Sequence, residues 1–466
     1  MERITLFAIV AGLLMVVSGA GAYRVSESGT PASSAPFASP IDHVVIIMME
    51  NHAYDSYFET YCLQLSPECN QTANGIAPGT CEPMKNMPGG CVVPYNFTDE
   101  NLSPPDMLHT YNSTVMAINN GNMNGFYKAE GHRMEPFGHY NGSTVPVYWD
   151  MAQEFGLGDD FFSAALSYSL PNHWYLLAGQ APPQSIEQNI NTASVAERHT
   201  YLNQSNSTES VQDLLLRNNV SFRYYDWPLT TYQKAIQPVN PTSANVPGKG
   251  SAYAFWNPLA SKAESYTSAY DSAFVARDQI FSDLKDGNLP NVSYVIPMGP
   301  YSDHPPANIT LGEAFVANVV DAVEYSPYWN HTAIFLTWDE YGGFYDNVAP
   351  PSIDPLGLSI RVPFLVMSPY TPAGTLVNTL GYFESTLAFI EDRWGLQSQC
   401  MTARDCNAPN LANYFDFSMA PRAPVFFDPN WENDTYPYQH ESYAADKLDT
   451  TSWVGQDNPA IDEDTD

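Results

Sequence analysis

Two apolar runs of the sequence each end in a pair of side chains that carry oxygen donors. Glu50 and Asn51 follow one run, and Asp339 and Glu340 follow the other. Three carboxylates that converge without Lys or Arg repel one another, and a divalent cation relieves that repulsion, with oxygen donors suiting a hard ion. The pattern therefore indicates a metal site, although Asp339 and Glu340 taken alone also fit a solvated acidic turn.

Ser169 is the candidate nucleophile. It precedes Pro171 and an apolar run closed by Gly179, which predicts a helix that begins near Pro171. A serine at a helix amino terminus lies where free backbone amides favour an anion, whereas an ordinary N-cap serine is the structural alternative. A metal ion beside such a hydroxyl lowers its pKa, and the imidazoles of His109 and His304 could hold phosphate oxygens or protonate the leaving group.

The elements that must position these groups alternate between strands and helices. Strands are predicted over 42–49, 161–167, 221–227, 291–298, 332–336 and 359–369, and helices over 145–155, 211–218 and 382–394. Another helix is predicted from the capping box Thr310-Leu-Gly-Glu313. This alternation predicts an α/β fold with a mainly parallel central sheet, helices on both faces and loop-rich insertions, in which ligands bind beyond the carboxyl ends of the strands.

The charge balance of the chain is strongly acidic. The sequence has 51 acidic and 18 basic residues, a net charge of -33, while charged residues make up only 15%. Such a balance argues against nucleic acid and anionic membranes as partners, because binding phosphates in either requires clustered Lys and Arg. One hypothesis is a strongly acidic medium, where many carboxylates are neutral and few basic groups limit positive self-repulsion.

The first residues have the features of an export signal. An apolar run from Ile4 to Val17, followed by small residues up to Ala22, predicts a secretory signal peptide over 1–22, with an uncleaved anchor as the alternative. No later run has the length or purity of a membrane span, so we expect no stable membrane insertion after cleavage. A flexible leader is predicted over 23–40, a catalytic domain over 41–420 with a rim or lid insertion over 181–260, and an extended acidic tail over 421–466.

Cysteines and glycosylation sequons also indicate a secreted or cell-surface protein. Six cysteines and no Cys-x-x-Cys pair favour disulfides over metal thiolates, although connectivity cannot be fixed from sequence. Near neighbours are the predicted partners: Cys62 with Cys69, Cys81 with Cys91, and Cys400 with Cys406. Twelve Asn-x-Ser/Thr sequons are typical of a glycosylated extracellular protein.

Four segments, taken in order, resemble the phosphoesterase family. They are Ile41-Asp-His-Val-Val-Ile-Ile-Met-Met-Glu-Asn-His-Ala-Tyr-Asp-Ser-Tyr-Phe58, Ser169-Leu-Pro-Asn172, Asp303-His-Pro-Pro306 and Thr337-Trp-Asp-Glu-Tyr-Gly-Gly-Phe-Tyr-Asp346. That family holds bacterial and fungal acid phosphatases and phosphatidylcholine-type phospholipases C. Several long motifs in the right order are far more specific than any short pattern. The resemblance spans residues 41 to 420 and implies an alkaline-phosphatase-like core.

The resemblance also implies a ligand set for one divalent metal ion. Glu50, Asn51, Asp339 and Glu340 match the metal ligands of the family. Ser169 matches the nucleophile, which is Thr in many relatives, and it would also contact the metal.

Three further positions match the family's active site, and two depart from its pattern. Asn172 matches a residue that contacts phosphate, and His109 and His304 match active-site histidines. Asn347 stands where relatives often carry His, and His52 stands where they often carry Arg. These two changes leave the contacts around the ligands and the pH optimum open.

The function predicted from the sequence is a secreted, metal-dependent hydrolase of phosphoric monoesters, an acid phosphatase that works through a phosphoseryl intermediate. The first alternative is a phospholipase C, although many of those enzymes carry a long extra carboxy-terminal region. The second alternative is a non-catalytic glycosylated surface protein that uses the fold for binding. Metal identity, natural ester and oligomeric state stay open.

Overall fold

The central sheet of the protein is built from eight strands, and its order explains where the candidate site lies. The computed structural model describes residues 39–62, 74–98, 101–187, 189–190, 193–226, 256–270, 272–297 and 299–427. The predicted signal peptide, nearly all of the leader and residues 428–466 of the predicted tail lie outside these ranges.

Most strands are short. The strands are β1 (His43–Met49), β2 (Glu82–Pro83), β3 (Cys91–Val92), β4 (Tyr95–Asn96), β5 (Gly138–His139), β6 (Gly156–Gly158), β7 (Phe161–Phe162), β8 (Phe222–Asp226), β9 (Phe274–Ala276), β10 (Val292–Val295), β11 (Thr332–Trp338), β12 (Phe364–Met367), β13 (Thr375–Val377) and β14 (Gly381–Tyr382). The two longest, β1 and β11, each have seven residues and are followed by the candidate ligands.

The helices range from one turn to more than four turns. They are α1 (Tyr54–Phe58), α2 (Tyr111–Ile118), α3 (Phe126–Ala129), α4 (Pro146–Glu154), α5 (Ser169–Ala178), α6 (Pro183–Glu187), α7 (Val195–Ser207), α8 (Val211–Arg217), α9 (Gln279–Asp286), α10 (Ile309–Glu324), α11 (Phe383–Trp394) and α12 (Ala403–Cys406). Short 3-10 helices occupy Glu135–Phe137, Pro258–Ser261, Ala263–Tyr266, Ser268–Tyr270, Gly299–Tyr301, Trp329–His331, Gln397–Gln399 and Leu411–Tyr414.

The sheet has the strand order β13-β6-β12-β11-β1-β10-β8-β9. Strand β12 runs antiparallel to both of its neighbours, and every other adjacent pair in this sheet is parallel. The prediction of an α/β fold with a mainly parallel sheet is therefore confirmed. All residues of β11 and all but the first of β1 are buried, as expected for unbroken apolar runs in the middle of a parallel sheet.

Most predicted elements exist with slightly different ends. The predicted strands over 42–49, 221–227 and 291–298 correspond to β1, β8 and β10, and the predicted helices over 145–155, 211–218 and 382–394 correspond to α4, α8 and α11. The predicted strand over 161–167 is reduced to β7, which pairs with β14 outside the central sheet. The predicted rim or lid insertion over 181–260 supplies β8 to the central sheet, so part of that stretch belongs to the core fold; residues 227–255 lie outside the described ranges.

The start of α10 differs from the prediction. Asn308 is the N-cap, and its Oδ1 accepts a hydrogen bond from the backbone N–H of Thr310 at 3.0 Å. The capping box predicted from Thr310 to Glu313 is therefore wrong. Glu313 instead accepts hydrogen bonds from the backbone amides of Val147 and Tyr148 at 3.0 and 3.2 Å, so a tertiary contact uses the carboxylate that the pattern assigned to a local cap.

A fully buried guanidinium joins segments that are far apart in the sequence. Arg361 donates hydrogen bonds to Asp346 at 3.0 Å, to Asp55 at 3.1 Å and to the side chain and carbonyl of Asp159. It also donates to Asn347 Oδ1 at 2.9 Å, so this second departure from the pattern implied by the resemblance takes part in the network. Burial raises the pKa of Asp346, and the charge of Arg361 opposes that rise.

The disulfides follow the near-neighbour prediction where they can be seen. The bridges Cys81–Cys91 and Cys400–Cys406 are present. The predicted bridge from Cys62 to Cys69 lies outside the described residues, because Cys69 is not among them. Over the described ranges, no helix combines the length and apolar character that a membrane span requires.

Candidate active site

The ends of β1 and β11 meet because the two strands are parallel and in register. Met49 lies opposite Trp338, so the next residues on the two strands are Glu50 and Asp339. The Asp339 carboxylate holds both turns, since its Oδ1 accepts hydrogen bonds from the backbone N–H of Asn51 at 2.7 Å and of Glu340 at 2.8 Å. The sequence predicted that these oxygen donors follow two strands. The register of β1 and β11 places the donors next to one another.

The turn after β11 depends on a glycine. Asn51 has φ 58°, and Gly342 has φ +60°. A Cβ added to Gly342 would lie 2.0 Å from the backbone oxygen of Asn51, and the Gly342 N–H donates to Glu340 Oε2 at 2.8 Å. Only glycine combines this backbone conformation with so close an approach, so Gly342 fixes the position of two candidate ligands.

Ser169 is the first residue of α5 and points at the end of β1. Its Oγ lies 3.1 Å from Glu50 Oε2 and 3.4 Å from Asn51 Oδ1. The N-cap is Tyr168, which makes no side-chain capping hydrogen bond, so the alternative of an N-cap serine is wrong. The hydroxyl is fully buried, and it faces acceptors from the opposite strand end.

The residues present fit a divalent cation. Ligand atoms of Glu50, His173 and Asp339 lie within 4.8 Å of one another, and all three side chains are buried. Asp339 Oδ2 is buried and has no hydrogen-bond partner among the described residues. A buried carboxylate oxygen without a donor is costly unless a cation satisfies it. A site of carboxylate and amide oxygens suits a hard ion.

His173 is not among the site residues predicted from the sequence, although its position contains a usable signal. The residue lies four positions after Ser169 on α5, so both side chains occupy one helix face. Its Nε2 lies 2.8 Å from Glu50 Oε1. The i, i+4 spacing from the candidate nucleophile would have identified it.

The two predicted active-site histidines lie together. The ring centroids of His109 and His304 are 6.5 Å apart, and each ring uses Nδ1 against a nearby backbone carbonyl, at 2.6 and 2.7 Å. His304 Nε2 is buried without a partner in the described part of the chain. The loop that carries it is attached to the end of β1, because the Glu50 N–H donates to the Ser302 carbonyl at 2.8 Å.

Asp303 anchors that loop. Its Oδ2 accepts hydrogen bonds from the hydroxyls of Tyr57 and Tyr148 and from the Trp338 indole N–H, at 2.9, 3.0 and 3.1 Å. Asp303 has φ 71°, an uncommon conformation for a residue other than glycine. Burial raises its pKa to about 7, and the three donors act against that rise. No sequence pattern indicated this role, since its partners come from three distant elements.

The Asn172 amide is directed at the backbone that precedes α5. Its Oδ1 accepts from the amides of Ala164 and Ala165, at 3.2 and 2.8 Å, and its Nδ2 donates to the carbonyls of Ala165, Ser167 and Tyr168. Both polar atoms of the side chain are thereby engaged. The structure therefore places Asn172 as a clamp on the loop that presents Ser169, and the predicted contact with phosphate stays a prediction.

His52 is one of the two positions that depart from the pattern implied by the family resemblance. Its ring stacks on Phe344 with centroids 4.4 Å apart and lies 4.9 Å from the Tyr57 ring. Burial lowers its pKa to about 3, so the imidazole is neutral and belongs to an aromatic wall beside the strand end. The side chain at this position is therefore an uncharged ring.

A buried serine at a helix start faces a carboxylate at the end of β1, and a second carboxylate follows the neighbouring strand β11. This arrangement suits the hydrolysis of phosphoric esters. The sequence model of the Phosphoesterase family matches residues 41–397, which is most of the chain. The protein belongs to that family and is a phosphoric ester hydrolase. Family membership favours the catalytic interpretation over the alternative of a binding module.

Curated relatives of low sequence identity are also phosphoric ester hydrolases. The chain is 25% identical to phospholipase C B of Mycobacterium tuberculosis, covering 89% of this chain and 84% of the relative. It is 24% identical to the non-hemolytic phospholipase C of Pseudomonas aeruginosa, covering 88% and 60%. Among solved structures, it is similar to a protein of the alkaline phosphatase superfamily from Vibrio parahaemolyticus, with 10% identity, 82% and 73% coverage and a TM-score of 0.38.

Proposed function

We propose that the protein is an acid phosphatase that hydrolyses phosphoric monoesters through a phosphoseryl intermediate. The observation that carries the proposal is the contact of Ser169 Oγ with Glu50 Oε2 and Asn51 Oδ1, at 3.1 and 3.4 Å. This contact places one hydroxyl at the meeting point of the two strand ends. A phospholipase C requires the same hydroxyl, whereas a binding module requires none there.

One divalent ion would be held by Glu50, Asn51, Asp339 and Glu340, with Ser169 beside it. Bound there, the ion would lower the pKa of the serine hydroxyl and screen the charge of the phosphate oxygens. Asp339 Oδ2, which is buried and has no hydrogen-bond partner among the described residues, supports this assignment.

The residues of the chain would act in a double displacement. Ser169 Oγ forms a bond to phosphorus while the bond from phosphorus to the leaving oxygen breaks, and Glu50 Oε2 is an acceptor within reach of the hydroxyl proton. A protonated His109 or His304 gives its Nε2 proton to the leaving oxygen. Water then attacks the phosphoserine, which releases phosphate and restores the hydroxyl. Asn172 would position Ser169 by holding the preceding loop.

Several buried carboxyl groups support operation in acid. Burial raises the pKa of Asp303 and of Glu384 to about 7 and the pKa of Glu324 to about 8. The folded state therefore keeps protons that the unfolded chain releases at lower pH, so the stability they contribute is present in acid and is lost as pH rises toward those values. This direction agrees with the net charge of -33 and with the acidic-medium hypothesis.

Secretion is the localisation that best fits these features. A predicted signal peptide, two disulfides and twelve sequons support an oxidising, extracellular environment. The proposed substrate is a small phosphate ester, and nucleic acid is not a proposed partner because of the acidic balance.

The test of the nucleophile is Ser169→Ala, compared with Ser167→Ala. Ser167 is also buried, and its Oγ donates to the Ile186 carbonyl at 3.4 Å, so the second variant controls for loss of a buried hydroxyl. We expect Ser169→Ala to abolish hydrolysis of p-nitrophenyl phosphate and to lose labelling by radioactive phosphate, while Ser167→Ala keeps both. Turnover by a folded Ser169→Ala variant would refute the assignment.

A phospholipase C is the second candidate, and two observations favour it. The curated relatives cited above are phospholipases C. In addition, Leu108, Tyr111, Val115 and Met116 expose 38–47% of their surface around helix α2, directly beside His109 in the sequence. Exposed apolar groups near a phosphate site could contact the acyl region of a lipid.

Parallel assays on p-nitrophenyl phosphate and on phosphatidylcholine vesicles separate the two candidates. For a monoesterase, the vesicles yield no phosphocholine, and Val115→Ser with Met116→Ser changes neither assay. For a phospholipase C, the double variant loses vesicle hydrolysis but keeps its activity on soluble esters. Ser169→Ala serves as the background in both assays.

A further inference from the structure

Two side chains of helix α5 hold the two oxygens of one carboxylate. Ser169 Oγ lies 3.1 Å from Glu50 Oε2, and His173 Nε2 lies 2.8 Å from Glu50 Oε1. Ser169 and His173 are one helical turn apart, so the same helix face meets both sides of the Glu50 carboxylate. All three residues are at most 1% exposed, so bulk water cannot take the place of either contact.

We propose that His173 is a positioning residue that fixes the orientation of Glu50, so that Oε2 is the oxygen presented to the metal ion and to Ser169. The inference rests on the proposed function for the identity of that site. An ionised carboxylate only accepts hydrogen bonds, so the imidazole must be the donor through its Nε2 proton. This bond occupies Oε1 and leaves Oε2 as the oxygen that faces the serine.

Positioning and direct metal ligation make different demands on the same nitrogen. An imidazole nitrogen that binds a metal must be deprotonated, whereas a nitrogen that donates to a carboxylate, as the 2.8 Å distance to Glu50 Oε1 allows, keeps its proton. The same Nε2 cannot serve both roles at once. Residues that orient the ligands of a metal site typically change its affinity for the ion by about 10- to 100-fold when they are replaced.

Three substitutions at this position separate the possibilities. His173→Gln keeps an amide N–H close to the place of Nε2, His173→Asn keeps an amide that is too short to reach Glu50, and His173→Leu removes the donor. His43→Leu is the matched control, because His43 is a histidine at the opposite end of β1 whose Nδ1 contacts the Pro290 carbonyl. Melting of the metal-free proteins shows which variants fold.

The measurement is titration of metal-stripped protein with Mn²⁺, followed by electron paramagnetic resonance of the bound ion. We expect His173→Asn and His173→Leu to bind Mn²⁺ about 10- to 100-fold more weakly, and His173→Gln to stay within about threefold of wild type. The wild-type spectrum should carry no coupling from a directly bonded nitrogen, and His43→Leu should match wild type. If His173→Leu does not fold, His173→Asn carries the comparison.

Three results would overturn the inference: unchanged Mn²⁺ affinity in a folded His173→Asn or His173→Leu variant, nitrogen coupling in wild type that disappears in His173→Gln, or no Mn²⁺ binding by wild type. None of these measurements uses a substrate. If Mn²⁺ binding behaves as expected but Ser169→Ala retains turnover, the proposed function fails while the role of His173 stands.

Discussion

Glu391 provides a direct test of the prediction that the folded protein is more stable at acidic than at neutral pH. The residue lies on α11, is 2% exposed and shares a hydrogen bond with Asp405. Asp405 accepts hydrogen bonds from the backbone amides of Met401 and Thr402, both at 2.7 Å. Burial and the neighbouring Asp405 raise the pKa of Glu391 from 4.5 to about 9. The proton shared by the pair therefore belongs to Glu391.

The raised pKa fixes the direction of the pH effect. Between pH 4.5 and about 9 the folded state binds a proton at Glu391 that the unfolded chain has released, so the free energy of unfolding falls as pH rises. Each pH unit within that window costs about 1.4 kcal/mol for one group. Between about pH 5 and about pH 7.5 the loss from this residue is therefore about 3 kcal/mol.

Replacing Glu391 with Gln removes the titration but keeps a donor for Asp405. Urea unfolding at the two pH values should show that wild type loses about 3 kcal/mol more than Glu391→Gln does. Glu135→Gln is the control, because Glu135 is 39% exposed and its charge is solvated. If wild type and Glu391→Gln have the same pH dependence, the proton does not reside on Glu391 and the reasoning is refuted.

Three other perturbations follow from the site and its surroundings. Gly342→Ala should lower kcat/KM by about 100-fold, because the added Cβ would displace the Asn51 carbonyl. Gly357→Ala is the control, because Gly357 has a similar φ of +71° but open space around it, and this variant should keep its activity. Equal losses of kcat/KM in the two variants would contradict the prediction. Arg361→Met should reduce the free energy of unfolding, measured in urea, by about 3–5 kcal/mol, because three buried carboxylates lose their cation. Arg133 is half-exposed, so Arg133→Met should have little effect. A small loss in both variants would disprove the stabilising role of Arg361. Chelation should lower the melting temperature, because without a cation the carboxylates at the two strand ends face one another unscreened. Adding a divalent cation should restore the melting temperature. An unchanged melting temperature would count against the metal site.

The parts of the fold that the sequence revealed are those with a strong local signal. Strands β1 and β11 are unbroken apolar runs that end abruptly in carboxylates, and such runs suit the middle of a parallel sheet. Ser169 stands before a proline and an apolar helix, so its place at a helix start could be predicted. In open α/β sheets, ligands bind beyond the carboxyl ends of strands, and this principle placed the strand-end carboxylates and Ser169 in one predicted site.

The parts that could not be predicted depend on partners far away in the sequence. The capping pattern at Thr310 is a valid local signal, but Asn308 caps the helix first and Glu313 is used by the amides of α4. The antiparallel direction of β12 and the place of β8 inside the sheet have no local signature. The roles of Asp303 and His173 likewise depend on which elements face them, and only His173 carries a spacing that a helix assignment could have exploited.

The register of β1 has a consequence for how the chain acquires its structure during synthesis. Its neighbours on both sides, β10 and β11, are encoded more than two hundred residues later, and the contact from Asn51 to Asp339 spans 288 positions. The Arg361 contact to Asp55 spans 306. Contacts of such separation make folding slow, because a long loop must close before any pairing is gained. Strand β1 therefore has no neighbour in the central sheet until β10 and β11 have been made.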